Sequence, residues 1–204
     1  MTSAREEILA RVRRANDAAA DRVEIVRAYE RSSGALPGAP EVLDLLEQRL
    51  VDYRATVHRD SDVPAAVRSA LGSATSVVVP PGLEPSWVPG ALVDDGTLTA
   101  RELDSVDAVV TAATVACART GTVVLDGSRD QGRRVVSLVP DLHVCVVRAD
   151  QVVDSVPEMI ERLDPLLPLT FISGPSATSD IELERVEGVH GPRNLHIVLA
   201  PPPR

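Results

Sequence analysis

TFISGPSATSDIELERVEGVHGP, Thr170–Pro192, is the stretch on which the reading of this chain turns, because an apolar, strand-like run stops there in a polar, glycine-rich segment. Leu169 to Ile172 has the character of a buried strand, and it runs straight into Ser173-Gly174-Pro175-Ser176. Thr178-Ser179-Asp180 is expected to start a short helical turn. A strand that ends in such a loop is where α/β proteins place ligands. Gly174 lets the backbone approach a partner closely, Pro175 fixes the exit direction, and Ser173, Ser176, Thr178 and Ser179 offer hydroxyls and amides to an anion or polar ligand. Gly188-Val189-His190-Gly191-Pro192-Arg193 adds an imidazole and a guanidinium. The same residues also read as a turn-rich linker whose hydroxyls satisfy backbone groups.

Upstream, from about Ala55, short β-branched runs alternate with helical segments, the signature of a layered α/β domain. Strands are predicted at Thr56–Arg59, Ser76–Val79, Asp107–Thr111, Thr122–Leu125, Leu142–Arg148, Leu169–Ile172 and Leu195–Leu199. Helices are predicted at Val63–Leu71, closed by Gly72, at Ser155–Leu163, and behind the capping box Thr99-Ala100-Arg101-Glu102. A first capping box, Ser3-Ala4-Arg5-Glu6, opens an amphipathic helix through Ile8, Leu9, Val12, Ala15 and Ala19 that is expected to continue through Val23, Val26 and Ala28. After the breakers Gly34, Pro37, Gly38 and Pro40, a second helix carries Val42, Leu43, Leu45, Leu46, Leu50 and Tyr53. The organisation expected is therefore an N-terminal helical arm, residues 1–54, and an α/β domain, residues 55–204.

With one Phe, two Tyr and one Trp, the core must be built from Val, Leu, Ile and Ala, and a base-stacking nucleic-acid reader is not expected. The net charge of −9 argues the same way, since it repels DNA and anionic lipid. All 21 basic side chains are arginine, so a lysine Schiff base and a Walker-type phosphate-loop lysine are excluded. Cys117 and Cys145 lie far apart in apolar contexts and read as buried thiols; an iron–sulfur cluster needs about four cysteines, so this chain alone carries none. No signal-peptide pattern and no run of about 20 apolar residues occurs, which leads to the expectation of a cytoplasmic protein without membrane insertion.

Candidate chemistry gathers in loops. Thr120-Gly121-Thr122 feeds a strand that ends in Asp126-Gly127-Ser128, and Arg133 and Arg134 follow, able to bind a carboxylate or phosphate through two parallel hydrogen bonds. Among His58, His143, His190 and His196 no pair has the spacing of a helical zinc site. His143 and His196 sit in apolar strands and read as core histidines, whereas His190, flanked by Gly188 and Gly191, is the candidate general base. No nucleophile elbow, dinucleotide loop or phosphate loop is present.

Three blocks then carry a family likeness: ARTGTVVLDG at Ala118–Gly127, GRRVVSLVPDLHVCVV at Gly132–Val147, and ISGPSATSDIELERVEGVHGPRNLHIVL at Ile172–Leu199. Together they resemble the LUD-domain family, and within it the branch described as small subunits of L-lactate dehydrogenase complexes. The resemblance implies a three-layer α/β/α sandwich similar to the ribose-phosphate isomerase, glucosamine-phosphate deaminase and coenzyme A transferase group. It also implies an accessory place in a cytoplasmic system that oxidises L-lactate to pyruvate, with iron–sulfur clusters held by partner proteins and no cofactor in this chain. The matched loop positions Thr120, Gly121, Thr122, Arg133, Arg134, Ser173, Gly174, Ser176, Thr178, Asp180, His190 and Arg193 become the expected ligand site. Arg119 stands where many relatives have an acidic residue, which implies binding without catalysis at that turn. A stand-alone enzyme or binding protein for an anionic metabolite, such as a sugar phosphate, a coenzyme A ester or a folate, is the alternative, and a scaffold that assembles through the N-terminal helices is a third reading.

Overall fold

The computed structural model describes residues 3–18, 25–178, 186–187 and 190–202. In chain order the elements are α1 (Ala4–Ala18), α2 (Pro40–Asp52), β1 (Thr56–Arg59), α3 (Val63–Leu71), β2 (Val77–Val79) and β3 (Leu92–Val93). They continue with α4 (Ala100–Asp104), β4 (Ala108–Ala112), β5 (Val115–Cys117), β6 (Thr122–Leu125), α5 (Arg134–Leu138) and β7 (Leu142–Arg148). The last are β8 (Val152–Val153), α6 (Val156–Glu161), β9 (Thr170–Ile172), β10 (Ala177–Thr178), β11 (Val186–Glu187) and β12 (Asn194–Ala200).

The predicted start signals act as caps. Ser3 and Glu6 bond reciprocally at the head of α1, and Thr99 and Glu102 do so at α4. Asp62 accepts from the Ala65 amide at the start of α3, and Gly72 at φ 57° closes it.

A central sheet runs β1-β12-β7-β4-β2-β3 with every neighbouring pair parallel. Alternation along its strands supplies two buried faces. Val144 and Val146 of β7 and Val198 and Ala200 of β12 pack with Ala66, Val67 and Ala70 of α3. Cys145 and Val147, with Leu195, Ile197 and Leu199, face the other way onto Val42, Leu46 and Leu50 of α2. Helices therefore cover both faces of a parallel sheet, the α/β layering expected from the sequence. On the α2 side, α4 and α5 cover β2 and β4 through Leu103 and Val136 against Val78 and Val109. Both cysteines are buried free thiols.

A second sheet, β8-β5-β6-β9, is not apparent from the sequence. Its pairs β5–β6 and β6–β9 are antiparallel. Val123 and Leu125 of β6 point into the α2 core, while Val124 joins Val115, Cys117 and Met159 of α6 in a separate cluster. The strand at Thr170–Ile172 thus belongs to this second sheet, so the rule placing ligands at the ends of parallel strands does not apply to the loop that follows it.

Two further expectations are corrected. The N-terminal helix is described over Ala4–Ala18, and Ile25 to Glu30, where the apolar spacing predicts its continuation through Val26 and Ala28, are not helical; residues 19–24, with Ala19 and Val23, lie outside the described ones. The chain divides into compact units Met1–Glu30 and Arg31–Arg204, and within the larger unit the apolar face of α2 is core. Thr178 pairs with Val186 in the hairpin β10–β11 and does not begin a helical turn; Ser179 and Asp180 fall outside the described residues. Among the described residues no helix is long and apolar enough to cross a membrane.

Candidate functional site

Six of the twelve expected ligand residues line two neighbouring clefts. The first, of about 370 Å3, lies between the Asp94–Gly96 loop after β3 and the Gly127–Arg134 segment that leads into α5, with Pro168 and Thr170 on one side. Arg133 is committed here: Nε donates to Asp94 Oδ2 at 2.9 Å, and Nη2 donates to Asp94 Oδ1 at 2.6 Å and to the Leu98 carbonyl at 3.0 Å. That fork holds the buried Asp94 carboxyl below its ordinary range, against the opposing effect of burial. Gln131 is also used up, donating to Thr114 Oγ1 and accepting from the Asp126 amide. Arg134 and Arg129 are different: both are exposed, line the cleft, and have no side-chain partner among the described residues. An anion entering here would meet these two guanidiniums.

The second cleft, of about 220 Å3, is lined by Phe171 to Ser176, His190 to Pro192 and His143, and it meets the first at Ser137 of α5. Ser176 ties its two loops together, its amide donating to the Pro192 carbonyl at 2.8 Å and its Oγ accepting from the His190 amide at 2.9 Å. Ser173, Gly174, Ser176 and His190 therefore do come together, as the sequence pattern suggests. The His190 residue is exposed. The floor is His143, read from the sequence as a core histidine, which is 1% exposed. Its Nε2 lies 2.8 Å from Thr111 Oγ1, and burial pushes its pKa down to about 4, so the ring is neutral at physiological pH.

Thr120, Gly121 and Thr122 line neither cleft. Thr122 Oγ1 lies 2.8 Å from Ser173 Oγ and accepts from Thr120 Oγ1 at 2.8 Å, joining the turn to the second cleft's loop by hydroxyls. Gly121, at φ +60°, and Gly174, at φ +99°, are required because the backbone there meets α2 and the residue after it: an added Cβ would lie 2.8 Å from Arg49 Cβ and 2.8 Å from the Tyr53 carbonyl oxygen, respectively. These glycines serve packing. Arg193 donates from Nε to Asp141 at 2.5 Å and lines neither cleft. Arg119 is bound to Asp154 through Nε at 2.9 Å and Nη2 at 2.8 Å. Thr178's side chain and Asp180 lie outside the described residues. Arg129, Ser137 and His143 were not nominated as ligand contacts; the topology alone brings them to the clefts. No group of three or more His, Cys, Asp or Glu is placed to hold a metal ion among the described residues.

Comparison with known proteins agrees with this architecture. The LUD domain model matches residues 85–200. The chain is similar to "Lactate utilization protein C" of Deinococcus radiodurans, 47% identical over 168 residues that cover 78% of this chain and 79% of that protein. The protein of the same name in Bacillus subtilis is 33% identical over 117 residues, 52% of this chain and 47% of that one. The crystal structure of a DUF162 family protein from Deinococcus radiodurans superposes with a TM-score of 0.69 at 40% identity, covering 78% of this chain and 96% of the other.

Proposed function

Because the chain belongs to the LUD-domain family, we propose that it serves in lactate utilisation, as an accessory subunit of a cytoplasmic system that oxidises L-lactate to pyruvate. The observation that carries this reading is the 47% identity, over 78% of the chain, to a protein named for lactate utilisation. Partner proteins would hold the iron–sulfur centres and pass the electrons. The chain's own chemistry supports that division, since its two cysteines are buried on β5 and β7 and are too few for a cluster. In this role the body binds a small anion at the Arg129–Arg134 cleft or docks a redox partner.

A second reading, a stand-alone enzyme or binding protein for an anionic metabolite, draws support from the two arginines that face the first cleft without a carboxylate partner. One experiment separates the two. The tagged protein is purified from lactate-grown cells, and the eluate is analysed by mass spectrometry and visible absorption. Co-elution of iron–sulfur proteins with broad absorption in the blue is the expected result. A colourless, partner-free eluate, together with normal growth on L-lactate of a deletion strain that has no other lactate dehydrogenase, overturns the subunit role.

A further inference from the structure

The central sheet has a switch point between β2 and β4. From β2 the chain crosses to β3 on one side, whereas from β4 it proceeds to β7 and β12 on the other. Neighbouring parallel strands whose connections leave in opposite directions open a crevice beyond their carboxyl ends, the usual ligand position in open α/β sheets. Here that crevice is a cleft of about 320 Å3. One wall is the Gly82–Trp87 loop that follows β2, held by the Gly82 amide donating to the Arg129 carbonyl at 2.8 Å. The other wall is Asp130, whose carbonyl accepts from the amide of Ala112, the last residue of β4, and Arg148, the last residue of β7.

Arg148 has an unmet hydrogen-bond donor. Its guanidinium forms no ion pair among the described residues, and its Nε is buried with no hydrogen-bond partner, the one such side-chain atom among them. An orphaned buried donor is costly and calls for a partner. The Asp130 carboxylate has no hydrogen-bonded side-chain partner among the described residues; burial raises its pKa, opposed only in part by its own backbone amide and by the Arg148 charge. Glu84 at the rim is turned onto Ser86, whose amide and hydroxyl it accepts at 3.3 and 3.0 Å. With one guanidinium against two acids, the crevice disfavours a phosphate dianion. A carboxylate matches the guanidinium fork, and a hydroxyl beside it would satisfy Asp130. The volume equals that of about ten waters, room for a short-chain acid with its remaining hydration.

We propose that this crevice is a ligand site for a small 2-hydroxycarboxylate, with Arg148 binding the carboxylate and Asp130 accepting from the hydroxyl. The hydroxy-acid class rests on the lactate-utilisation reading; the crevice rests on the sheet alone.

Trp87, the chain's only tryptophan, lines the crevice and reports on it. Purified full-length protein is titrated with L-lactate, acetate, lactamide and inorganic phosphate while Trp87 fluorescence is followed. L-lactate should give a saturable change, weakened at least tenfold by Arg148→Met and less by Arg148→Lys, with lactamide and phosphate at least tenfold weaker in the parent. Asp130→Asn should bring the affinities for lactate and acetate together without weakening acetate, and this ratio carries the test if Arg148→Met does not fold. No saturable change with L-lactate, an Arg148→Lys titration identical to the parent's, or a lactate-to-acetate ratio untouched by Asp130→Asn overturns the site. The titration needs no partner protein, so its failure leaves the subunit role standing, and a partner-free purification leaves the site standing.

Discussion

His143 shows how one residue can be both core and cleft. Its strand context marks it as buried, and it is, yet the loops after β9 and before β12 leave a cleft above it, so the ring is also a floor. Burial drops its pKa from 6.5 to about 4, and the sign of the consequence is fixed. The unfolded chain takes up this proton near pH 6.5 and the folded chain does not until about pH 4, so stability present above pH 6.5 is lost as pH falls through that window. The loss reaches about 3 kcal/mol from this group, at about 1.36 kcal/mol per unit. His196, lowered by burial and by the neighbouring His58, pulls the same way. Glu158 titrates lower: burial raises its pKa, but bonds from Ser155 and Ser32 overcome this and hold it at about 2, so its contribution fades only below about pH 4.5. Urea unfolding between pH 7.5 and 4.5 should show the midpoint falling with acid, and His143→Leu should flatten that slope while lowering the midpoint at neutral pH. A slope identical to the parent's would mean that His143 is not buried as a neutral ring. Residue type and strand context made the burial legible; the cleft was not, because it is formed by segments far apart in sequence.

At the scale of elements, the long parallel strands were readable because runs such as Leu142–Arg148 are apolar on both faces and bounded by turn residues. The five-residue helix α5 was not, since RVVSL offers β-branched residues and no side-chain cap. Its arginines looked like paired ligand contacts, and the fold separates them. Arg134 faces the cleft, while Arg133 reaches 39 residues back to clasp Asp94, fastening the loop after β3 to the head of α5. Adjacency in sequence implied a common role; the pairing that decides it is tertiary. Removing the guanidinium by Arg133→Leu strands a carboxylate that is 3% exposed. Breaking a fully buried pair costs about 3–5 kcal/mol, and because the Arg133 side chain is 38% exposed a loss nearer 2–3 kcal/mol is expected. Chemical unfolding at pH 7 measures it, and Asp94→Leu combined with Arg133→Leu should recover much of the loss. A double variant no more stable than Arg133→Leu would show that the clasp is not the source.

For the whole molecule, the decisive quantity is where the core begins. A charged, amphipathic N-terminus followed by a proline- and glycine-rich break suggested an arm reaching to residue 54, because composition cannot say which of two amphipathic helices finds the sheet. Among the described residues, every cluster of buried side chains is assembled from residues after Glu30, and α2 supplies Leu46 and Leu50, both 0% exposed, to the one that joins the two sheets. Leu46 and Leu50 each contribute about 1.5–3 kcal/mol by burial, a large fraction of a typical net stability of about 5–15 kcal/mol. Two truncations therefore part sharply. A chain starting at Arg31 retains all four clusters and should unfold cooperatively with nearly the parent's thermal midpoint. One starting at Arg54 lacks α2, uncovers that face of the sheet, and should be insoluble or melt without a cooperative transition. Circular dichroism melts of the two fragments beside the full chain decide it. A folded fragment from Arg54 would restore the longer arm, and an unfolded one from Arg31 would mean that the first thirty residues are needed to hold the body together.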